Sequence, residues 1–241
     1  MVLLYIPPVQ NLLRREVTAY ASKATGMQIQ VERIDLRFPL NLLVRGVEVI
    51  QQPDTLLSLE SLNVRVQAWP LLKGKVEVDE VTLSQVAVNS ANLIEGMQIK
   101  GVLGRFFLQS HGVDLSNETA VVNRTELSDT HIQLLMTDTT TTPKDTTASA
   151  PVNWKVNLHQ LKLKNVSFGM KLPADSMKMA AYIGEATIDD AKADLKNQFY
   201  GLKQFLLSGA SASYDTGEAQ PSEGFDASHM AVRNIRIGLD S

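Results

Sequence analysis

The chain has no cysteine, so neither disulfides nor thiolate metal ligands are available to it. It has almost no charge excess: 23 Lys and Arg stand against 26 Asp and Glu, a formal net charge of −3. So balanced a surface argues against nucleic-acid binding driven by phosphate neutralisation. Long apolar runs are missing too. The opening Met1-Val-Leu-Leu-Tyr-Ile6 stops at Pro7-Pro8, far short of the ~20 residues that cross a bilayer. No Gly-Lys-Ser/Thr follows Gly101 and Gly104, which therefore predict a bulge or corner and not a phosphate loop. The histidines, His111, His131, His159 and His229, lack ligand-like spacing, so no metal and no cofactor are expected. Asp215-Thr216-Gly217 matches the bare aspartic-protease triplet, but Ser213-Tyr214 precede it and a Gly/Ser/Pro loop follows. That context predicts a strand end and turn, without the second aspartate such catalysis needs. The glycosylation triplets at Asn117, Asn123 and Asn165 are expected by chance in strands rich in Ser and Thr. No catalytic residue is assigned, and no enzyme is expected.

What the chain does have is a repeat: an apolar-x-apolar step, a polar pair, and a second apolar-x-apolar step. Leu161/Leu163 and Val166/Phe168/Met170 bracket Lys164-Asn165; Leu42/Val44 and Val47/Val49 bracket Arg45-Gly46. Further copies are Val81/Leu83 with Val86/Val88, Thr125/Leu127 with Thr130/Ile132, and Ala186/Ile188 with Ala191/Ala193. Phe205/Leu207 with Ala210/Ala212 and Met230/Val232 with Ile235/Ile237 complete the set. Period-two alternation marks a strand with one apolar face. Three steps separate the inner apolar positions, so a regular strand would change face at the pair. A β-bulge, with two residues opposing one, would keep the apolar side and bend the strand. The alternative is two short strands meeting at a tight turn in each copy.

From Pro8 to Ala24, Val9, Leu12, Leu13, Val17, Tyr20, Ala21 and Ala24 follow helical spacing, with Gly26 past the end. This predicts an amphipathic helix packed on the sheet, or lying at a membrane surface with Arg14, Arg15 and Lys23 toward head groups. Strands are expected from Met27 onward, broken at Pro39 and at Gln51-Gln52-Pro53-Asp54; Trp69-Pro70-Leu71-Leu72-Lys73-Gly74 predicts one helical turn closed by glycine. Met97–Leu108 predicts one strand region, and Val113–Met136 two further runs. Residues 137–151, rich in Thr, predict a mobile loop inserted in one repeat domain, and Gly217–Gly224 a shorter loop of the same kind. With one long helix visible, the apolar face has two fates: closure around a filled core, or an open trough for a long apolar ligand.

Several segments in order resemble the start of TamB-type members of the AsmA-like superfamily. They are Leu3-Leu-Tyr-Ile-Pro-Pro-Val-Gln10, Thr25-Gly26 after the helix, Gln30-Val-Glu-Arg-Ile-Asp-Leu36, Leu43-Val-Arg-Gly-Val-Glu-Val49, Asp54-Thr-Leu-Leu57, and Trp69-Pro-Leu-Leu-Lys-Gly74 before Val78-Asp-Glu-Val-Thr-Leu83. Phe225-Asp-Ala-Ser-His229 and the Thr-rich loop look closest to Bacteroidetes-like versions. The resemblance implies an envelope protein of diderm bacteria, anchored in the inner membrane, with a curved, mainly antiparallel β-groove (β-taco) crossing the periplasm. It implies non-enzymatic phospholipid transport between the membranes, or alternatively a scaffold for outer-membrane β-barrel assembly with a partner of the Omp85 class.

On that resemblance, residues 1–26 are the end of a membrane anchor plus a capping helix, and residues 27–241 are the β-groove repeat domain of an N-terminal fragment. Residues expected to line the groove are Val44, Val47, Val81, Leu83, Val86, Val88, Leu127, Ile132, Leu161, Leu163, Val166, Phe168, Ile188, Ile235 and Ile237. Leu3, Leu4, Tyr5, Ile6, Arg14 and Arg15 are expected near the membrane.

Overall fold

Period-two alternation runs through most of this chain, and the strands it builds join into one sheet. The computed structural model describes residues 7–38, 40–67, 77–91, 93–114, 118–136, 153–217 and 228–240. A helix, α1 (Pro7–Thr25), precedes β1 (Gln28–Arg37), β2 (Asn41–Gln51), β3 (Asp54–Val66), β4 (Val78–Asn89), β5 (Met97–Asp114) and β6 (Thr119–Met136). Then come β7 (Lys155–Leu172), β8 (Met177–Asp194), β9 (Phe199–Gly201), β10 (Gln204–Asp215) and β11 (His229–Asp240). The 11-stranded sheet keeps chain order, β1 to β8 and then β10 and β11, with β9 beside β8. All pairings are antiparallel except β6–β7. The sheet is open, with β1 and β11 at its edges.

No filled core closes it. Among the described residues the buried hydrophobics are Ile34, Leu43, Leu56, Ala120, Val122, Ala186 and Ala210, and no large side chain is fully buried. A closed barrel or sandwich of this length would bury many large side chains completely. The closed alternative is therefore not what forms.

The polar pair has a uniform backbone. Its second residue carries positive φ in every copy: Gly46 (59°), Gln85 (50°), Asp129 (52°), Asn165 (53°), Asp190 (50°), Gly209 (64°) and Asn234 (55°). Gly enters this left-handed region freely, and Asn and Asp are the side chains that enter it most readily. The ladder stays one for one across the pair. Val31↔Val47 and Arg33↔Arg45 omit Glu32 and Gly46 together, and Ser84↔Arg105 and Val86↔Leu103 omit Gln85 and Gly104 together. The expected two-against-one bulge is thus corrected. A left-handed residue turns the strand over, and its neighbour across the gap goes unpaired with it. At this level only β10–β11 shifts register. The strands run straight through each copy, so the tight-turn alternative is also excluded.

These positions form a crease across the sheet through Glu32, Gly46, Glu60, Gln85, Gly104, Asp129, Asn165 and Gly184. Space there is short. A Cβ on Gly104 would stand 2.7 Å from Asp129 Cβ, and one on Gly46 would stand 2.6 Å from Glu32 Cβ. Gly104 is therefore a crease residue, not a corner. A second crease holds His159, Asp190 and Lys203, with His159 Nδ1 3.1 Å and Lys203 Nζ 3.9 Å from the Asp190 carboxylate. There Leu202-Lys203 drop out of the ladder, so β9 and β10 continue one another along β8 in a single register.

Helix α1 packs on β1. Arg14 donates from Nη1 to Val31 O (3.2 Å) and Glu32 O (2.7 Å). Glu32 is the residue the crease leaves unpaired, so the guanidinium satisfies an orphan carbonyl. Gly26 (φ 70°) ends the helix, its N–H donating to Ser22 O at 2.9 Å. The two runs expected over Val113–Met136 are instead the tail of β5 and the whole of β6. The turn expected at Trp69–Gly74, the Thr-rich stretch, most of Gly217–Gly224, and Leu3, Leu4, Tyr5 and Ile6 lie outside the described residues.

Candidate functional site: the apolar repeat face

Register partners on neighbouring strands share a face, so the ladder shows which apolar residues meet. One row flanking the first crease runs Ile34, Val44, Leu62, Leu83, Phe106, Leu127, Leu163, Ala186, Leu207, Ile237. On the other side of the crease Val31, Val47, Leu59, Val86, Leu103, Thr130, Val166 and Ile183 form the second row, and Ala210↔Ile235 pair at its far end. Two positions beyond the first row lie Leu36, Leu42, Val64, Val81, Leu108, Thr125, Leu161, Ile188, Phe205 and Leu239. Two beyond the second lie Ile29, Val49, Leu57, Val88, Gly101, Ile132, Phe168, Ala181, Ala212 and Val232. All of the residues expected to line a groove fall in these four rows.

The apolar side survives the crease. Ile188 and Ala191, three residues apart around Asp189-Asp190, line one cavity of about 280 Å³ with Val156, Leu158 and Tyr200. In a regular strand they would point to opposite faces. Along β7, Leu161 and Leu163 are half-buried while Lys162 and Lys164 are exposed. The apolar side chains thus shelter one another, and among the described residues no helix lies over them. Near one end the face is wetter: Phe168 and Ile132 are each 40% exposed.

The residues expected to line a groove leave out the row members on β3 and β5, such as Leu62, Val64, Leu103 and Phe106, although both stretches are expected as strands. Those strands alternate apolar residues around Glu60-Ser61 and Gly104-Arg105 without a left-handed residue, so only the three-step spacing marked them. The expected lining residues also leave out a fifth row, Leu134, Met170, Met179, Tyr214, Met230, of which the repeat marks Met170 and Met230.

The polar groups are spent locally. Gln160 Nε2 donates to Asp189 Oδ1 at 3.0 Å, and His131 Nδ1 lies 2.7 Å from Ser167 Oγ. Asp215 accepts from the Gly217 N–H at 2.7 Å and sits 3.1 Å from His229 Nε2, the turn chemistry expected for Asp-Thr-Gly at a strand end. The turn after β8 is tied by Asn197, whose N and Nδ2 donate to the Asp194 carboxylate at 3.0 and 2.9 Å. Those bonds hold Asp194 below its usual pKa. Asp35, hydrogen-bonded to Arg33, raises the guanidinium pKa. No group of three His, Asp or Glu gathers in metal-binding geometry among the described residues. Among them no helix is long and apolar enough to cross a membrane.

No protein-family model matches the chain, and no curated protein matches it at a significant level.

Proposed function

We propose that this chain is a non-enzymatic lipid carrier whose sheet curves into an open apolar groove. Acyl chains lie along the four rows, and head groups stay in solvent. One observation carries this reading: apolar rows cross the open sheet nearly edge to edge with no filled core beneath them. A surface of that kind needs an apolar occupant. Each CH₂ sheltered from water contributes about 0.8 kcal/mol, so a long chain can be held without a polar site.

The setting that fits is the envelope of a diderm bacterium, with the segment ahead of α1 in the inner membrane and the sheet in the periplasm. The cargo is phospholipid moving between inner and outer membranes. An Omp85-class protein would act at the outer-membrane end, and nucleic acid plays no part. The test is extraction of the purified chain in organic solvent and mass spectrometry of the extract. Co-purifying phospholipid is the expected result, and lipid-free protein would overturn the reading.

A second reading is a scaffold for nascent outer-membrane β-strands. It draws on β11, a twelve-residue edge strand with no partner on its outer side among the described residues. Such an edge can add a strand. Proline at outward-bonding positions of β11 should then abolish client binding, whereas a lipid carrier would be indifferent.

A further inference from the structure

Strand alternation gives the sheet a second, polar face, and at one end that face is hollow. A cavity of about 800 Å³ lies where β7 turns into β8 through Pro173–Asp175. Gln98 and Lys100 line it while Ile99 between them does not, so it opens on the side away from the apolar rows. Its floor is the register row Lys100, Gln133, Gly169, Ala180, Ser213, Ala231, small from Gly169 onward. The parallel row Gln98, Leu135, Lys171, Lys178, Asp215, His229 forms one wall. A second cavity, about 680 Å³, shares Gln133, Gly169, Ala180, Ser213 and Ala231 with the first and reaches His131, Tyr182 and Arg233. Together they make a trough across β5 to β8, β10 and β11, roughly 24 Å long at about 4.8 Å per strand.

The trough is cationic. Lys171 and Lys178 are direct cross-strand partners, and like charges directly opposed destabilise a pairing. Among the described residues no carboxylate comes within ion-pair distance of Lys100, Lys171, Lys178 or Arg233. Asp215 lies across the ladder from Lys178, but its carboxylate is engaged by His229 and the Gly217 N–H. An anion seated between the ammonium groups would turn their repulsion into attraction. The other side chains suit hydroxyl groups. The amides of Gln98 and Gln133 and the hydroxyls of Ser213 and Tyr182 both donate and accept, as a sugar hydroxyl does. Tyr182, 38% exposed, adds an aromatic ring with a polar tip. An extended peptide would add to a strand edge instead of lying across a face.

We infer that this trough binds an acidic oligosaccharide. Lys100, Lys171 and Lys178 hold its acid groups through charge-assisted hydrogen bonds, and its rings lie over the small side chains of Gly169, Ala180 and Ala231. The site is on the face opposite the apolar rows, so it goes beyond the lipid-carrier reading and does not rest on it.

The test is calorimetric titration of the whole chain with three probes: tetragalacturonate, the neutral maltotetraose, and hexaglutamate. Tetragalacturonate should bind the native chain more tightly than either of the others. Lys171→Gln/Lys178→Gln should lose about ten-fold or more of that affinity, the size expected for lost charge-assisted hydrogen bonds. Ala180→Glu, at an exposed floor position, should abolish it. Lys162→Gln/Lys196→Gln makes the same charge change outside both cavities and should bind as the native chain does. Circular dichroism checks that the three variants stay folded. No binding of tetragalacturonate, equal binding of maltotetraose, or equal loss in the two lysine variants would overturn the site. Equal binding of hexaglutamate would overturn the sugar and leave a trough for acidic peptides. Each of these failures leaves the lipid carrier standing.

Discussion

Asn165 Nδ2 donates to Asp129 Oδ1 at 2.7 Å, and both residues hold left-handed backbone on adjacent, parallel strands. The bond ties two residues of the first crease together where the sheet changes from antiparallel to parallel pairing. Replacing Asn165 with Val removes the bond and places a β-branched residue at φ 53°. Urea unfolding should report a loss of about 1–2 kcal/mol, the usual cost of left-handed backbone. Asn165→Gly, free of the backbone penalty, should cost clearly less; equal losses would mean that the angle is unimportant.

The crease also predicts which glycines can be filled. At Gly104 a methyl group meets Asp129 Cβ at 2.7 Å and Asp129 O at 3.0 Å. Gly104→Ala should destabilise by about 1–3 kcal/mol, as overpacked sites do. At Gly169 the nearest atom to a built Cβ is 4.0 Å away, so Gly169→Ala should lower the denaturation midpoint little or not at all.

Charges placed on the apolar rows separate a groove from a core. Phe168 is 40% exposed and Val86 half-buried. Val86→Asp with Phe168→Asp should leave the far-ultraviolet circular dichroism of the native chain and cut co-purified lipid several-fold. Unfolding of this variant would restore the case for a packed interior.

Acid should loosen the turn after β8. Bonds from Asn197 stabilise the ionised Asp194 carboxylate and hold its pKa below the ordinary 3.8. A depressed carboxylate pKa means stability present above the unfolded value and lost as pH falls through the folded one. Amide exchange over residues 197–201 should therefore stay slow above about pH 4, the ordinary carboxylate value, and gain extra opening below it. Asp194→Asn should remove that acid-dependent step; a step that persists would assign it to another group.

The parallel pair sets a minimum length on the segment that joins it. Thr119 pairs with Lys155, while Met136 stands at the far end of β6. At about 3.3 Å per strand residue the return trip is roughly 55 Å, and a chain reaches at most about 3.6 Å per residue. Deleting residues 139–150 should make β6–β7 pairing impossible and leave an aggregated or partly folded chain. A soluble, native-like deletion variant would show that this pairing is not needed.

Period two and one apolar side were legible in the sequence because side-chain direction in a strand depends only on local backbone. That is why Val81, Leu83, Val86 and Val88 fall in the apolar rows on either side of the crease. The second residue of each pair was legible as conformationally special because Gly, Asn and Asp carry that signal; Gln85 does so only by position. The one-for-one ladder was not legible, since it depends on partners such as Glu60 and Gly104, whose own strands look regular. Nor was Arg14, which reads as a solvent-facing helix residue until Glu32 O is found unpaired beside it.

The five left-handed residues of the first crease, Gly46, Gln85, Asp129, Asn165 and Gly209, lie on β2, β4, β6, β7 and β10. The pairings make all five strands run the same way. Strands running the other way answer with Glu32, Glu60, Gly104 or Gly184. From β1 to β10 the left-handed residue of this crease is therefore an arrow as well as a hinge, whereas Asp190 on β8 and Asn234 on β11 belong to strands that run the other way. Where two left-handed residues of this crease face each other across one gap, as Asp129 and Asn165 do, the strands that carry them are parallel.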